Sequence, residues 1–253
     1  GKTEVAKALS ASINSEMIRL QCYEGIDASQ AVYEWDYAKQ LLHLRVSEVT
    51  GLASESNLAS LEGEIYDEKF LIRRPLMRAL EPADLPPVLL IDEVDRADDE
   101  FEAFLLEVLS DYSITVPEIG TFKTENPPLV IITSNRTRDV HDALKRRCLY
   151  HWVEHPGIDQ EVEILRVRAP HVPLSLARGV AAIAAELRNM DLYKPPGVSE
   201  TIDWVEALVT VGADEIEPEA LDSTLGALLK YREDQQRVRN RGFGDVLAAV
   251  RQG

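Results

Sequence analysis

The chain has 253 residues, of which 45% are hydrophobic and 28% charged, an ordinary globular composition with room for two domains. Its formal net charge of -17 comes from acids spread along the whole length, which argues against a partner read through its phosphate backbone, because such partners need a basic face. Cys22 and Cys148 lie far apart without metal-ligand spacing, and no run of about 18 apolar residues occurs; a disulfide framework, a zinc site and a membrane-spanning helix are therefore not expected, and a cytoplasmic protein is.

Gly1-Lys2-Thr3 leads into a helical stretch over Glu4 to Ser12, where Val5, Ala8 and Leu9 repeat at helical spacing. Gly, Lys and Thr at a helix start form the second half of a phosphate loop: the helix end offers free N–H groups, the Lys ammonium reaches terminal phosphates, and the Thr hydroxyl ligates magnesium. The first half of that pattern, a strand and a further Gly, is expected upstream of Gly1. Glu16 to Cys22 alternates as a strand. Asp27 is expected to cap one long helix to Val46, with Ala31, Val32, Trp35, Ala38, Leu41, Leu42 and Val46 forming a core stripe. A loop over Gly51 to Glu64 follows, then a helix over Phe70 to Leu80 that Pro75 either starts or kinks.

The run Leu89-Leu90-Ile91-Asp92-Glu93-Val94-Asp95 reads as a strand buried on both faces that ends in two adjacent carboxylates. At the carboxyl edge of a parallel sheet, where ligands bind, such a pair can hold a metal and handle water; alone it is equally a solvated acidic turn. Asp98 and Asp99 cap a helix carrying Phe101, Phe104, Leu105, Val108 and Leu109, and Ile114 to Lys123 reads as a hairpin. Leu129 to Thr133 is a second doubly buried strand, ending in Ser134-Asn135, where Asn135 either shapes a turn or positions an attacking water. Asp142 to Arg147 forms a short helix closing on Lys145-Arg146-Arg147, and Tyr150 to Val153 is expected as an edge strand. The paired arginines are either solvated or aimed at a neighbouring subunit's nucleotide.

Beyond His155-Pro156-Gly157 the alternation of strand and helix stops. Asp159 to Arg168, Leu174 to Arg188, Ser199 to Val211, Pro218 to Tyr231 and Asp245 to Val250 are helical in period, separated by Pro and Gly breakers. Arg237 to Arg241 is a candidate basic patch, more simply a solvated face of the last helix. The expected division is an α/β core over 1–155 and a helical domain over 156–253.

Four motifs thus stand in order: GKT opening a helix, LLIDEVD ending a strand, IITSN ending a later one, and KRR before an edge strand, with helices behind. Together they make the chain resemble the AAA+ ATPases, and among them the MoxR-like group. The resemblance implies a P-loop α/β fold with a parallel-sheet nucleotide-binding domain, its first strand truncated, followed by a small all-helical lid. It implies ATP and Mg2+ as ligands, Gly1, Lys2 and Thr3 as phosphate-loop contacts, Thr3 on magnesium with Asp92 holding it through water, and Glu93 polarising the attacking water. It further implies Asn135 as sensor 1, Arg147 or Arg146 as an arginine finger supplied in trans, and hence a homo-oligomeric ring, in this family usually a hexamer. Where a sensor 2 arginine is usual, Lys194-Pro195-Pro196-Gly197 is followed by Glu200, and Lys194 is a candidate substitute.

That stretch with Thr201-Ile202-Asp203-Trp204 is similar to the CoxD-type subgroup, which implies a chaperone role in metal-cofactor insertion, a von Willebrand factor A-domain partner and a client enzyme, with nucleic acid disfavoured. A nucleic-acid translocase of the restriction-motor type and a nucleotide-binding scaffold are the alternatives. The family's first strand is expected between the strands ending at Asn135 and Val153; without it two rows of backbone groups stay unpaired, so the chain is expected to be poorly stable and to continue upstream in the natural protein.

Overall fold

The computed structural model describes residues 2–49, 63–135 and 137–252. Gly1 and residues 51–62 of the expected loop lie outside them. The chain divides into two compact units, Gly1–Trp152 and Val153–Gly253. Among the described residues no helix is long and apolar enough to cross a membrane.

The first unit is built on a three-stranded parallel sheet in the order β1 (Met17–Gln21), β4 (Val88–Asp92), β7 (Leu129–Ile132). All five residues of β4 are buried because the strand is central and covered on both faces. Val88 and Leu90 pack with Ala6 of α1 (Lys2–Ile13) and with Leu9, Ile13 and Ile131. Leu89 and Ile91 point the other way, into a core with Ile18, Leu20, Met77, Phe101 and Leu105. The register sets Gln21 opposite Asp92, and Ile91 opposite Ile132, so the polar ends of all three strands fall on one edge. The start of α1 lies at that edge too, where Lys2 meets Ser134 and Asn135. Two antiparallel ribbons flank the sheet: β5 (Ser113–Val116) with β6 (Gly120–Lys123), the expected hairpin, and β2 (Tyr33–Trp35) with β3 (Leu71–Arg73).

The second ribbon corrects the long helix expected over Asp27 to Val46. The chain instead forms α2 (Ala28–Val32), β2 and α3 (Tyr37–Val49). Tyr33, Glu34 and Trp35 fit helical spacing, but aromatic residues also fit a pleated edge, and pairing with β3 captures them there. Asp36 then restarts the helix, its carboxylate accepting from Lys39 N–H at 3.0 Å. The restart rotates the stripe away from the core, and Leu41, Leu42 and Val46 are exposed. The helix expected over Phe70 to Leu80 likewise becomes β3 followed by α4 (Pro75–Ala79), with Pro75 as its starter.

Two further expectations at the far side of the sheet fail together. Leu129 to Ile132 is partly exposed rather than doubly buried, with only Thr133 buried, because β7 pairs with β4 on one side and with no strand among the described residues on the other. Tyr150 to Val153 forms no strand among the described residues, and Leu149, Tyr150, Trp152 and Val153 are exposed.

The second unit is all-helical: α7 (Ile158–Arg168), α8 (Leu174–Arg188), α9 (Val198–Thr210), α10 (Pro218–Leu228), α11 (Arg232–Arg241) and α12 (Phe243–Gln252). Its core runs through Leu165, Val180, Ile183, Leu187, Trp204, Leu208, Leu221 and Leu225. Helix α11, with Val238 its one apolar residue, is absent from the five expected helices. The Arg237 to Arg241 stretch is not a loose basic face: Arg239 pairs with Asp222 at 2.8 Å, Arg241 with Glu186 at 2.5 Å, and Arg237 with Asp191 at 3.7 Å.

Candidate functional site

Strand β4 ends because Glu93 adopts a left-handed backbone, φ 57° and ψ 49°. A non-glycine residue there costs about 1–3 kcal/mol and persists where its surroundings fix it. The fixing group is Thr133 at the end of β7: its hydroxyl accepts from Glu93 N–H at 3.0 Å, and its carbonyl accepts from Val94 N–H at 2.9 Å. The same hydroxyl donates to Asp92 Oδ1. Asp92 is buried in line with the strand, while the left-handed turn swings Glu93 to the half-exposed edge.

Around these carboxylates a continuous polar line forms. Lys2 Nζ donates to Asn135 Oδ1 at 2.7 Å and also to Ser134 O. Asn135 Nδ2 donates to Glu93 Oε1 at 2.9 Å, and Gln21 Nε2 donates to Glu93 Oε2 at 3.1 Å. Arg96 stands 3.5 Å from the same oxygen. Asn135 is in turn placed by Asp95, whose Oδ1 accepts its backbone N–H at 3.0 Å and whose Oδ2 accepts from the Thr137 N–H and hydroxyl at 2.8 and 2.6 Å. Burial works to raise the Asp95 carboxyl, but these donors outweigh it and hold it below the ordinary carboxylate range. The opposite holds for Cys22, beneath the site: burial, then the neighbouring Asp92, Asp95, Glu102 and Glu93, push its thiol up to about 12. That thiol stays protonated, so it is no nucleophile.

Of the residues singled out from sequence, Lys2, Asp92, Glu93 and Asn135 are therefore brought together, and Thr3 lies in the first turn of α1 beside Lys2. Arg147 is elsewhere, its Nη1 donating to Leu106 O at 3.2 Å and to Ser110 Oγ on α5 (Asp99–Asp111). The Arg146 side chain is exposed, and its guanidinium makes no hydrogen bond or ion pair among the described residues. Lys194 pairs with Glu200 at 3.6 Å within the helical unit. Arg19, Gln21, Asp95, Thr133 and Thr137 were not singled out from sequence. The alternation of MIRLQC does mark Arg19 and Gln21 as the polar face of β1, but only the parallel register sets them beside the acids.

A carboxylate pair at a sheet edge, a lysine at a helix start and a nearby threonine hydroxyl make a set of hard oxygen donors and a phosphate contact. That donor chemistry fits Mg2+, which takes one or two carboxylates and completes its shell with phosphate and water. A strand-edge site with a helix amino terminus fits a nucleotide polyphosphate.

Comparison with known proteins agrees with this geometry. The family of the AAA domain (dynein-related subfamily) matches residues 1–148, more than half of the chain. Two solved structures of RuvB variants from Thermotoga maritima are each 14% identical and cover 89% of this chain, with TM-scores of 0.50 and 0.49. At that identity the likeness is one of fold. The chain spans 58% and 57% of the length of those two structures. No curated protein gives a significant match.

Proposed function

The chain belongs to the dynein-related AAA family, and from that premise we propose that it is the nucleotide-binding core, over 1–155, and helical lid, over 156–253, of a ring-forming ATPase. Within the AAA+ proteins we assign it to the MoxR-like group, CoxD type, acting as a chaperone that matures a client enzyme with a von Willebrand factor A-domain partner. The observation that carries the ATPase reading is the unbroken line from Lys2 through Asn135 to Glu93.

In this reading Lys2 releases Asn135 to meet the terminal phosphates, with the amino end of α1 and Gly1 giving close backbone approach. Thr3, and Asp92 through water, would hold Mg2+, which when bound would neutralise charge on the phosphates. Glu93 polarises a water, which attacks the γ-phosphorus as the bond to the bridging oxygen breaks; the water's proton passes to Glu93 and ADP leaves. Asn135 fixes the Glu93 carboxylate and the water line. The arginine finger, as the family resemblance implies, comes from a neighbouring subunit of a ring, usually a hexamer. Arg147 is the first candidate for that finger and Arg146 the second; within its own chain Arg147 rests on α5.

Phosphate release by the purified full-length protein, with and without duplex DNA, tests this. Turnover indifferent to DNA is expected, with Arg147→Ala lowering it by about 10³-fold while ATP binding persists, and Arg146→Ala having the lesser effect. DNA-stimulated turnover would instead favour a nucleic-acid translocase, and ATP binding without turnover a nucleotide-binding scaffold. The net charge of -17 favours the protein client.

A further inference from the structure

We infer that the paired tyrosines Tyr193 and Tyr231 of the helical unit form a docking surface for a short acidic segment of a protein partner; the inference rests on the protein-client reading above and not on ATP hydrolysis. The two rings come from distant positions in the chain and meet edge to face, with centroids 4.9 Å apart and planes at 64°. Tyr193 is 76% exposed and Tyr231 41%.

The backbone beneath these rings is held far more firmly than exposed side chains require. Tyr231 caps α11, and Tyr193 lies on the segment between α8 and α9. Helix α11 straps that segment twice. The buried Asp234 accepts the N–H groups of Tyr193 and Lys194 at 2.7 and 3.0 Å, while Arg237 donates to Asp191 O and pairs with the Asp191 carboxylate at 3.7 Å. Leu192 between them is buried, and Arg188 Nε, donating to Pro196 O at 2.7 Å, fixes the chain just downstream. A buried carboxylate is costly unless it is hydrogen-bonded, and here its bonds go to the backbone of a residue whose own side chain stays in solvent. Such strapping does not bury the ring. It removes the ordering cost that a mobile loop would meet on binding, which is how a rigid aromatic anchor gains affinity.

The charges around the rings select the partner. Arg232 is exposed, and its guanidinium makes no hydrogen bond or ion pair among the described residues. Lys194 has Glu200 at 3.6 Å, beyond hydrogen-bond reach, and Lys230 is exposed with its ammonium on the carbonyls of Gly226 and Ala227. Of the neighbouring acids, Asp191 is held by Arg237 and Asp234 by the two N–H groups, which leaves Glu233 as the one without a partner among the described residues. Cations therefore outnumber free acids at this patch, in a chain whose net charge is -17, and the complement is anionic. Each tyrosine adds an apolar face and a hydroxyl donor, which suit a carboxylate standing beside an apolar or proline residue. A nucleic-acid strand fits less well, because it needs a basic track along its backbone and open ring faces to stack on. Here three cations flank one pair of rings that close on each other edge to face.

The test uses full-length protein without nucleotide and a fluorescein-labelled peptide of alternating glutamate and proline, followed by fluorescence anisotropy. Wild type should bind the peptide, and Tyr193→Ser and Arg232→Gln should each weaken binding by about tenfold. Tyr193→Phe, which keeps the ring and loses the hydroxyl, should fall between. Arg178→Gln removes another exposed charge, near the start of α8, and should bind as wild type does. Both patch substitutions fall on exposed side chains, so melting temperatures should match wild type. An Arg232→Gln loss no larger than that of Arg178→Gln would reduce the contact to non-specific charge and overturn the inference. A wild type that ignores the peptide, or that binds oligothymidylate more tightly, would overturn it as well. DNA-stimulated turnover sinks the protein-client reading, whereas DNA-indifferent turnover without peptide binding overturns this inference alone.

Discussion

In the helical unit Glu161 is wholly buried, and both its oxygens are taken by Arg188, itself nearly buried, at 2.5 and 2.8 Å. The Thr201 hydroxyl adds a third bond at 2.8 Å, and Arg188 Nε donates to Pro196 O at 2.7 Å, so one ion pair locks α7, α8, the start of α9 and the Pro195-Pro196-Gly197 turn. In the α/β unit Asp92 is almost as buried, yet its cation, Arg19, is half exposed and Lys2 parks on an amide and a carbonyl. Both units bury charge, but the first arrangement closes a structure and the second keeps partners that can change. Fixed partners mark a knot in the fold; exchangeable partners mark a site.

Breaking the knot should have the largest effect on stability. Arg188→Met keeps the bulk but leaves Glu161 charged and unpaired, and should cost about 3–5 kcal/mol in chemical denaturation of the helical unit. A loss under 1 kcal/mol would mean the pair is not what fixes this unit. Asp95→Asn, which leaves one acceptor oxygen where Asn135 and Thr137 use two, should cost about 1–3 kcal/mol. Its pH dependence has a definite sign. The folded carboxyl sits below its unfolded value near 3.9. The contribution is therefore full above that value and lost as pH falls through the lower folded one. The stability gap between wild type and Asp95→Asn should stay constant from about pH 5 to 8 and shrink below about pH 4; a gap that widens in acid would place Asp95 in another role.

The same contrast explains what the sequence displayed. Val88 to Ile91 is apolar on every residue, so a central strand was legible, and the acids after it fell where such strands meet ligands. Pro117 to Gly120 made the hairpin legible through turn chemistry. Tyr33 to Trp35 was misread because aromatic residues satisfy helical and pleated spacing alike, and the partner that decides, Leu71 to Arg73, is distant in the chain. Helix α11 was missed because its anchor is polar: Asp234 is buried, accepting the N–H groups of Tyr193 and Lys194 at 2.7 and 3.0 Å, with no apolar rhythm to announce it. At the site, Lys2, Asp92, Glu93 and Asn135 stood in recognisable motifs, but Arg19 and Gln21 become site residues only through their register against β4. Trp204 is a core residue, its Nε1 donating to Thr224 Oγ1 at 2.8 Å.

The central claim is that Glu93, held between Asn135 and Gln21, is the base of ATP hydrolysis. It is tested most directly by measuring ATP binding and phosphate release side by side in full-length wild type and Glu93→Gln. The variant should bind ATP as wild type does while phosphate release falls by at least about 100-fold. Release at the wild-type rate by a variant that still binds ATP would contradict the account.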